Sequence, residues 1–395
     1  MEQAYIVAAV RTAGGKKGGR LSGWHPADLS ARVLDELIAR VDADPALVED
    51  VIMGCVGQVG EQAVNIGRNA VLASKLPESV PGTSLDRQCG SSQQAIHFAA
   101  QAVMSGTMDV VIAAGVESMT RVPMGVSSTL PAKNGMGHYM SPQMQARYPN
   151  IQFSQFMGAE MISTKYKLSR DQLDQFAFDS HQRAIAAVNS GAFDGEIVPV
   201  QVRRADGTAS DEMHTVDEGI RFDGTLEGIR SVKLLQEGGS ITAASASQIC
   251  DGATGVMIVS EKGLKALGGK VKPLARIVHM SLLGHDPVIM LEAPIPATTR
   301  ALKKAGMSIN DIDLFEVNEA FAPVPLAWLQ VTGADPGRLN VNGGAIALGH
   351  PLGASGTKLM TTLINALGKR GKKYGLQTMC EGGGMANVTI IERLQ

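Results

Sequence analysis

Residues 83–114, TSLDRQCGSSQQAIHFAAQAVMSGTMDVVIAA, form the stretch of sequence that decides the fold. A strand-like segment leads through a short polar loop into a helix that should end at Gly106, and a buried strand is predicted from Val110. Residues 340–380 repeat the same order of elements. Self-similarity between two distant segments indicates two units of the same design.

The repeat also covers the elements that precede each of these stretches. A helix opening at Pro26 and a buried strand at residues 51–56 come before the first stretch, and a helix opening at Pro296 and a strand at residues 312–317 come before the second. Strands that alternate with helices predict a parallel or mixed sheet with helices on both faces. We therefore expect an α/β fold with two such sheets, and ligands at strand ends and helix starts.

The chain is predicted to divide into two halves, with an insertion in the first. The N-terminal half should comprise residues 1–120 together with residues 250–270, which add one more strand, and the C-terminal half residues 271–395. Residues 121–249 lack the alternation and contain an amphipathic helix near residues 170–190. An insertion of this length is about as often a structural excursion as a lid or binding loop, so the sequence leaves both open.

Composition argues against several classes of partner. The 395 residues include 36 Lys plus Arg against 38 Asp plus Glu, a formal net charge of -2 with no long run of either sign, which does not favour nucleic acid. No stretch approaches the ~20 apolar residues that cross a bilayer, so no membrane partner is expected. The first residues resemble a strand rather than an export signal, and the last ones are not a peroxisomal address. We therefore expect a cytoplasmic protein.

Cys89 is the most informative of the four cysteines. Cys55, Cys89, Cys250 and Cys380 are spaced too irregularly for a disulfide framework or a paired zinc site, and no metal is expected. Cys89 stands where a strand-like segment turns into a helix, whose dipole and unpaired N–H groups favour a thiolate and would lower the thiol pKa from its free value of ~8.5. Cys89 is therefore a candidate nucleophile, with a small buried apolar residue as the alternative.

A glycine-rich run in the second unit, NGGAIALGHPLGASG at residues 342–356, contains a candidate base. His350 lies there at the predicted start of a helix, and by the repeat it takes a place similar to that of Cys89. Helix-start histidines tend to stay neutral, so His350 could accept a thiol proton near pH 7 and return it. A phosphate-binding loop is also glycine-rich, but this run lacks the Gly-Lys-Ser or Gly-Lys-Thr of such loops. A histidine that only satisfies a hydrogen bond is the other alternative.

Two further polar residues lie at the ends of predicted strands. Cys380 ends the last predicted strand, before the glycines at residues 382–384, and a second thiol beside such a turn suggests an acid or a base. Asn318 ends the preceding strand, where its amide could hold a water or an oxyanion. Taken one at a time, either residue could serve packing or a turn instead.

Taken together, four segments resemble motifs of the thiolase family, and the resemblance covers essentially the full chain. The segments are residues 86–95, 318–322, 342–356 and 380–384. The resemblance implies the thiolase fold, which has five layers in the order α-β-α-β-α, is built from two similar halves and carries an inserted loop domain. It also implies a homodimer or homotetramer that acts on acyl-CoA and CoA, with coenzyme A as substrate or product and no other cofactor.

The resemblance also implies a role for each catalytic candidate. Cys89 would be the nucleophile that accepts the acyl group, and His350 the base that takes a proton from Cys89 or from the CoA thiol. Cys380 would move the proton at the alpha carbon of acetyl-CoA. Asn318, through a water, would join His350 in one oxyanion hole. The backbone N–H groups of Cys89 and Gly382 would form the other.

Candidates for substrate binding come from the insertion. By resemblance, Ser247 matches a pantetheine-binding loop, Met157 an acyl-pocket methionine and Arg221 a contact with the CoA nucleotide. Phe156 stands where short-chain biosynthetic members usually have His, and the Gln-Gln pair at residues 93–94 replaces their Leu-Lys or Leu-Arg. These departures resemble thiolases that degrade bulkier 3-ketoacyl-CoA thioesters, including steroid fragments.

The reaction implied is the cleavage of a 3-ketoacyl-CoA by CoA to acetyl-CoA and a shortened acyl-CoA, whose reverse is a Claisen condensation. A short-chain acetyl-CoA acetyltransferase that makes acetoacetyl-CoA is the alternative. A decarboxylating ketosynthase is disfavoured, because such enzymes generally have His where this chain has Cys380. A non-catalytic acyl-CoA carrier would leave the joint presence of these polar residues unexplained.

Overall fold

Both predicted units are present, with their elements in the order that the sequence indicates. The computed structural model describes residues 2–204, 206–269 and 271–395. The strands in these ranges are β1 (Tyr5–Thr12), β2 (Gly15–Lys16), β3 (Asp50–Gly54), β4 (Gly82–Leu85), β5 (Val110–Ser118), β6 (Ile197–Val198), β7 (Val200–Arg203), β8 (Ala209–His214), β9 (Cys250–Val259), β10 (Ala275–Gly284), β11 (Leu314–Val317), β12 (Tyr374–Glu381) and β13 (Met385–Arg393). The helices are α1 (Pro26–Val41), α2 (Ile66–Ala73), α3 (Ser91–Met104), α4 (Val126–Lys133), α5 (Pro142–Arg147), α6 (Gln155–Lys165), α7 (Arg170–Asn189), α8 (Leu226–Arg230), α9 (Glu261–Ala266), α10 (Pro294–Ala305), α11 (Pro323–Thr332), α12 (Ala345–Leu348) and α13 (Ser355–Lys369).

The N-terminal half forms a mixed sheet in the order β4-β3-β5-β9-β1. β3 is parallel to β4 and β5, whereas β9 is antiparallel to β5 and β1. Every residue of β5 and β9 is buried, because helices cover both faces of the sheet. β9, which follows the insertion, thus completes the sheet that begins with β1.

The C-terminal half repeats this arrangement in the order β11-β12-β13-β10. β11 is parallel to β12, and β13 is antiparallel to β12 and β10. Leu339 makes a parallel bridge to Phe315 beside β11, which is the position that β4 takes in the first half. The chain is therefore built from two similar halves, as predicted.

The two sheets are not separate, contrary to the expectation from sequence. Tyr5 pairs with Arg276 and Ile6 with Ala275, so β1 joins β10 in an antiparallel pair and hydrogen bonding runs through both halves. β1 and β10 are the edge strands of their sheets, and unpaired edges inside a protein leave backbone polar groups unsatisfied. This pairing joins segments far apart in the chain, so local patterns do not reveal it.

The helices complete five layers. α1 and α2 pack on the outer face of the N-terminal sheet, and α10 and α11 on the outer face of the C-terminal sheet. α3 and α13 lie between the sheets and share one core with strands of both. Successive side chains of β5 point to opposite faces of the sheet. Ile112 packs against the outer helices, and Val111 packs against the central helices.

The insertion between β5 and β9 contains α4 to α8 and β6 to β8. α7 begins with a capping box, in which the Ser169 hydroxyl accepts from the Gln172 N–H and the Gln172 side chain accepts from the Ser169 N–H. The predicted helix near residues 170–190 is thereby confirmed. Across the ranges given above, no helix has both the length and the apolar character that crossing a membrane requires.

The central helices approach each other so closely that one position admits only glycine. A Cβ added to Gly356 in α13 would overlap the backbone nitrogen of Gln93 in α3. Backbone atoms cannot rotate away as the end of a flexible side chain can. Gly368 in the same helix differs, since nothing lies within 4 Å of an added Cβ there.

Gly356→Ala should therefore lower the thermal unfolding midpoint. Overpacking of this kind costs roughly 1–3 kcal/mol, and contact with backbone favours the upper end of that range. Gly368→Ala is the matched control and should leave the midpoint unchanged or raise it slightly, because alanine is the better helix former. Circular dichroism on heating measures both variants, and equal midpoints would contradict the close approach of the two helices.

Candidate active site

Cys89 stands in a tight turn between β4 and α3. A bridge between Arg87 and Cys89 closes the turn, and the residue between them, Gln88, has a φ of 50°. This left-handed conformation is uncommon for a residue other than glycine. Asp86 stabilises it, because a carboxylate oxygen accepts from the Gln88 N–H at 2.6 Å. Cys89 is therefore fixed immediately before the first turn of α3, as the sequence predicts.

Burial determines the protonation state of Cys89. The residue is 9% exposed, and burial raises the pKa of its thiol to about 12, with the Glu381 carboxylate adding to the rise. The sequence-based expectation of a thiolate does not hold in the free protein, because desolvation outweighs the helix dipole. Cys89 is a neutral thiol that needs a base in order to react.

His350 is a neutral imidazole with a defined tautomer. Its Nδ1 contacts the Ser355 hydroxyl, which donates its own proton to the Pro351 carbonyl at 2.8 Å. Nδ1 must then carry the ring proton, and Nε2 accepts from the Asn318 amide at 3.3 Å. Burial, together with the Lys358 ammonium, lowers the pKa of His350 to about 3. The predicted neutral histidine is thus present, with its lone pair directed at Asn318.

His350 does not take the place of Cys89 in the repeat, so this expectation is wrong. The bridge that closes the Cys89 turn has its counterpart between Val341 and Gly343, which makes Gly343 the match of Cys89. α12 then adds a helical turn that the first half lacks, and Gly349, with a φ of 80°, turns the chain back before His350. A glycine-rich run is compatible with a helical turn as well as with a loop. The sequence pattern therefore does not reveal that His350 and Cys89 take different positions in the repeat.

Cys380 lies one residue before the end of β12, and a turn leads from there into β13. The expectation that Cys380 ends the last strand is therefore wrong. The second strand of this hairpin was not recognised because the three glycines before it indicate a loop. Burial and the neighbouring Cys89 raise the pKa of Cys380, so the two thiols share one site and both are neutral.

The turn that follows Cys380 packs directly on the Cys89 turn. A Cβ added to Gly382 would lie 2.9 Å from Gln88 Oε1, and one added to Gly90 would overlap Glu381 Oε1. The side chains of Gln88 and Glu381 thus fill the space beside these two glycines, each side chain reaching from one turn to the other. The peptide groups of Cys89 and Gly382 therefore lie in two turns that are in contact.

Two buried ionic side chains that the sequence analysis missed hold the loop before α13. Glu117 accepts from the Val56 N–H and the Gly353 N–H, both at 2.9 Å, and so ties this loop to the first half. The Lys358 ammonium donates to the carbonyls of Leu348 and Gly349. The sequence gives one indication of such residues, which is a single charged residue within an otherwise uncharged stretch of a buried strand or helix.

The substrate-binding candidates Ser247 and Arg221 lie near one pocket of about 330 Å³. Arg221 lines this pocket together with Ala246, which precedes Ser247 in the chain. The Ser247 N–H donates to the Ala320 carbonyl at 2.9 Å, so the loop before β9 runs alongside the segment that contains Asn318. The loop that lines this pocket therefore also contacts the segment that follows Asn318.

Phe156 and Met157 lie in the first turn of α6. The Phe156 ring packs edge-to-face on Phe321, with 5.3 Å between ring centroids, and Phe321 belongs to the segment that follows Asn318. Phe156 is 44% exposed and Met157 45% exposed. The pair therefore presents apolar surface next to the Asn318 segment.

The chemistry of the site is that of thiols, an imidazole and amides. All four cysteines are free and buried. Within the part of the chain that the structure describes, no three His, Cys, Asp or Glu side chains are grouped so that they could hold a metal ion. Two thiols and a neutral imidazole, gathered where two similar α/β halves meet, define an enzyme that transfers acyl groups through a thiol.

Comparisons with known proteins identify the family. The model of the thiolase N-terminal domain matches residues 4–262, and that of the thiolase C-terminal domain matches residues 271–393. The chain belongs to the thiolase family and is an acyltransferase of the thiolase fold.

Relatives with assigned names cover the whole chain. It is 51% identical to a steroid 3-ketoacyl-CoA thiolase of Mycobacterium tuberculosis, over 100% of this chain and 95% of the relative. It is 41% identical to a 3-ketoacyl-CoA thiolase of Salmonella typhimurium, over 100% of both chains.

Solved structures agree with this assignment. Acetyl-CoA acetyltransferase of Bacillus anthracis superposes with a TM-score of 0.90 at 35% identity, over 100% of this chain and 99% of that one. Human mitochondrial 3-ketoacyl-CoA thiolase superposes with a TM-score of 0.88 at 36% identity, with the same coverage. The predicted fold class is thereby confirmed.

Cys89 should be the first cysteine that iodoacetamide modifies. It is 9% exposed, against 0% for Cys55 and Cys380 and 2% for Cys250, and it alone stands at the start of a long helix. Peptide mapping over time at pH 8 should show labelling of Cys89 at least ~tenfold faster than the others. A Cys89→Ser variant should lose this fast phase, whereas first labelling at Cys55 or Cys250 would refute the assignment.

Proposed function

We propose that this protein catalyses the cleavage of 3-ketoacyl-CoA by coenzyme A, with the acyl group carried on Cys89 between two half-reactions. The observation that carries the proposal is the contact between the Cys89 turn and the turn at residues 381–384, which places a second thiol, Cys380, beside the first. His350, whose unprotonated Nε2 lies 3.3 Å from the Asn318 amide, supplies the base. Coenzyme A enters as a substrate and leaves in the product, and the proposal needs no other cofactor.

In the first half-reaction, the Cys89 sulfur attacks the 3-keto carbon while its proton passes to His350 Nε2. Both groups are neutral beforehand, so the proton transfer accompanies the attack rather than precedes it. The C2–C3 bond of the substrate then breaks, and its electron pair goes to C2 of the departing acetyl-CoA. The Cys380 thiol gives C2 its proton, and the shortened acyl group stays on Cys89 as a thioester.

The second half-reaction returns the enzyme to its starting state. The proton on His350 first passes to the Cys380 thiolate, which leaves both groups neutral. His350 then takes the proton of the CoA thiol as the CoA sulfur attacks the acyl thioester. The bond between the acyl carbon and Cys89 breaks, and the Cys89 sulfur recovers its proton from His350. Each proton that is taken up is thus returned within one turnover.

Amide groups are proposed to stabilise the oxyanions of both half-reactions. The backbone N–H groups of Cys89 and Gly382, in the two turns that touch, would receive the oxygen of the carbon attacked by sulfur. Asn318, through a water, and His350 would receive the thioester oxygen of acetyl-CoA. The Asn318 Oδ1 atom is buried without a partner in the described structure, which suits an amide that binds a water.

The proposed substrates are 3-ketoacyl-CoA thioesters with bulky acyl chains, including steroid fragments. Phe156, packed on Phe321, provides a flat apolar surface where a histidine would provide a polar one. The relative at 51% identity is named a steroid 3-ketoacyl-CoA thiolase, which supports this class. Met157 is proposed to contact the acyl chain, Ser247 the pantetheine, and Arg221 the CoA nucleotide.

Assembly and location form part of the same proposal. We propose a homodimer or homotetramer, and α4 and α5, which bury none of their residues in the single chain, are available for contact with another copy. The absence of any disulfide among the four cysteines supports a reducing compartment, and we propose the cytoplasm.

Cys380→Ala should separate the two half-reactions. Cys89 would still take an acyl group from a simple acyl-CoA and pass it to free CoA, because this exchange breaks no carbon–carbon bond. Thiolysis and condensation should each fall by ~100 to 10,000-fold, the range for loss of a positioned acid–base group. Isotope exchange between labelled CoA and acyl-CoA measures the first activity, and absorbance of the 3-ketoacyl thioester measures the second.

The matched control is Cys250→Ala, which removes a buried thiol that packs against Gly349. It should change the two activities in equal proportion, because Gly349 precedes His350 and both activities use this base. Equal loss of exchange and thiolysis in a folded Cys380→Ala protein would show that Cys380 supports Cys89 or the fold. The two-cysteine mechanism would then have to be abandoned.

Specificity constants for bulky acyl chains should equal or exceed the constant for acetoacetyl-CoA. A panel of medium, branched and cyclic 3-ketoacyl-CoA thioesters should be cleaved as well as acetoacetyl-CoA or better, because Phe156 and Met157 offer apolar contact. Phe156→His, which restores the polar residue, should shift the ratio toward acetoacetyl-CoA. A preference of the unmodified enzyme for acetoacetyl-CoA above tenfold, about 1.4 kcal/mol in transition-state binding, would favour the short-chain alternative.

A further inference from the structure

Glu381 is a fully buried carboxyl group that the proposed reaction does not use. It follows Cys380 in β12, and its side chain is directed at the start of α3, where a Cβ added to Gly90 would overlap Oε1. Neither oxygen of Glu381 has a hydrogen-bond partner among the described residues. A buried carboxylate without a partner is strongly unfavourable, so the charge state of Glu381 needs an explanation.

Asn387 of β13 faces the same glycine. Its Nδ2 donates to the Gly90 carbonyl at 3.1 Å and would lie 2.8 Å from a Cβ on Gly90. This bond fixes the orientation of the amide, and its Oδ1 is left without a partner in the described structure. Asn387 makes no hydrogen bond to either oxygen of Glu381, so a carboxylate there would be buried without compensation. A carboxylic acid carries no charge and is less costly to bury at this position.

The charged neighbours of Glu381 are few. Burial raises the pKa of Glu381 to about 8, Arg87 in the Cys89 turn opposes the rise, and Asp86 adds to it. The first turn of α3 contains no acidic side chain, and Asn387 is the facing residue of β13. Glu381 is coupled to both thiols, since its negative charge raises the pKa of Cys89 and that of Cys380.

We propose that Glu381 is a positioning residue that acts through Cys89. As a neutral acid beside Asn387, Glu381 allows a thiolate to form on Cys89. As a carboxylate, it suppresses that thiolate. Two negative charges on either side of Gly90, in a space that excludes water, repel each other strongly. The inference rests on the proposed function in taking Cys89 as the nucleophile, because the Cys89 sulfur gains negative charge as it gives up its proton. The consequence is that the alkylation rate of Cys89 rises less than tenfold per pH unit once Glu381 ionises.

The test is the pH dependence of Cys89 alkylation, without any acyl-CoA, in the unmodified enzyme and in Glu381→Gln. The rate constant for iodoacetamide, followed by peptide mapping from about pH 7 to 9.5, reports the thiolate fraction. In Glu381→Gln it should rise tenfold per pH unit, because the amide never ionises. In the unmodified enzyme the slope should fall below this from about pH 8, so that the ratio of variant to unmodified rate grows several-fold across the range.

Glu227→Gln, which removes an exposed carboxylate in α8, is the matched control and should keep the slope of the unmodified enzyme. If Glu381→Gln does not fold, Glu381→Met supplies a second uncharged side chain of similar length. Equal slopes in the unmodified enzyme and the Glu381 variant would overturn the inference. Failure to cleave any 3-ketoacyl-CoA would overturn the proposed function instead, since alkylation of Cys89 does not require turnover.

Discussion

The close approach of the two central helices is the constraint on which the rest of the structure depends. Gly356 in α13 faces the backbone of Gln93 in α3 with no room for a Cβ, and a Cβ on Gly54 at the end of β3 would lie 2.7 Å from the Gly353 carbonyl. Cys89 precedes one of these helices and His350 the other, so a wider spacing would separate the proposed nucleophile from the proposed base. The small size of a few glycines, rather than any attraction between the reactive groups, assembles the site.

Buried ion pairs then connect the N-terminal half, the insertion and the C-terminal half. Arg11 of β1 donates to Glu196 at 2.6 Å and to Asp217 at 2.9 Å, and both carboxylates belong to the insertion. Lys358 of α13 lies 3.4 Å from Asp217, which gives two cations for two carboxylates. Removing one member would leave a buried charge without compensation. Lys358 also donates to the carbonyls of Leu348 and Gly349, just before His350. The insertion therefore helps to position the proposed base as well as to carry the proposed binding residues.

Local signals explain what the sequence could predict. α7 was expected near residues 170–190 and is Arg170–Asn189, because its capping residues and apolar spacing are contained within the helix itself. The joining of β1 to β10 and the offset of His350 were missed, since both depend on contacts between distant segments. The motifs indicated Cys89 and Cys380 but not their protonation, because burial depends on the whole fold. Glu381 was missed for the same reason, since its environment includes α3 and β13.

A site whose reactive groups are neutral before reaction ties reactivity to the substrate. An exposed thiolate is readily alkylated and oxidised, whereas a buried thiol is inert. Cys89, Cys380 and His350 are all uncharged in the free protein because desolvation disfavours every ionised form. In the proposed mechanism, charge separation becomes favourable only when the substrate is bound. The sulfur then attacks the acyl carbonyl, and the proposed backbone N–H donors stabilise the oxyanion that forms. The burial that keeps Cys89 and Cys380 neutral therefore also removes the water that would stabilise a thiolate before the substrate arrives.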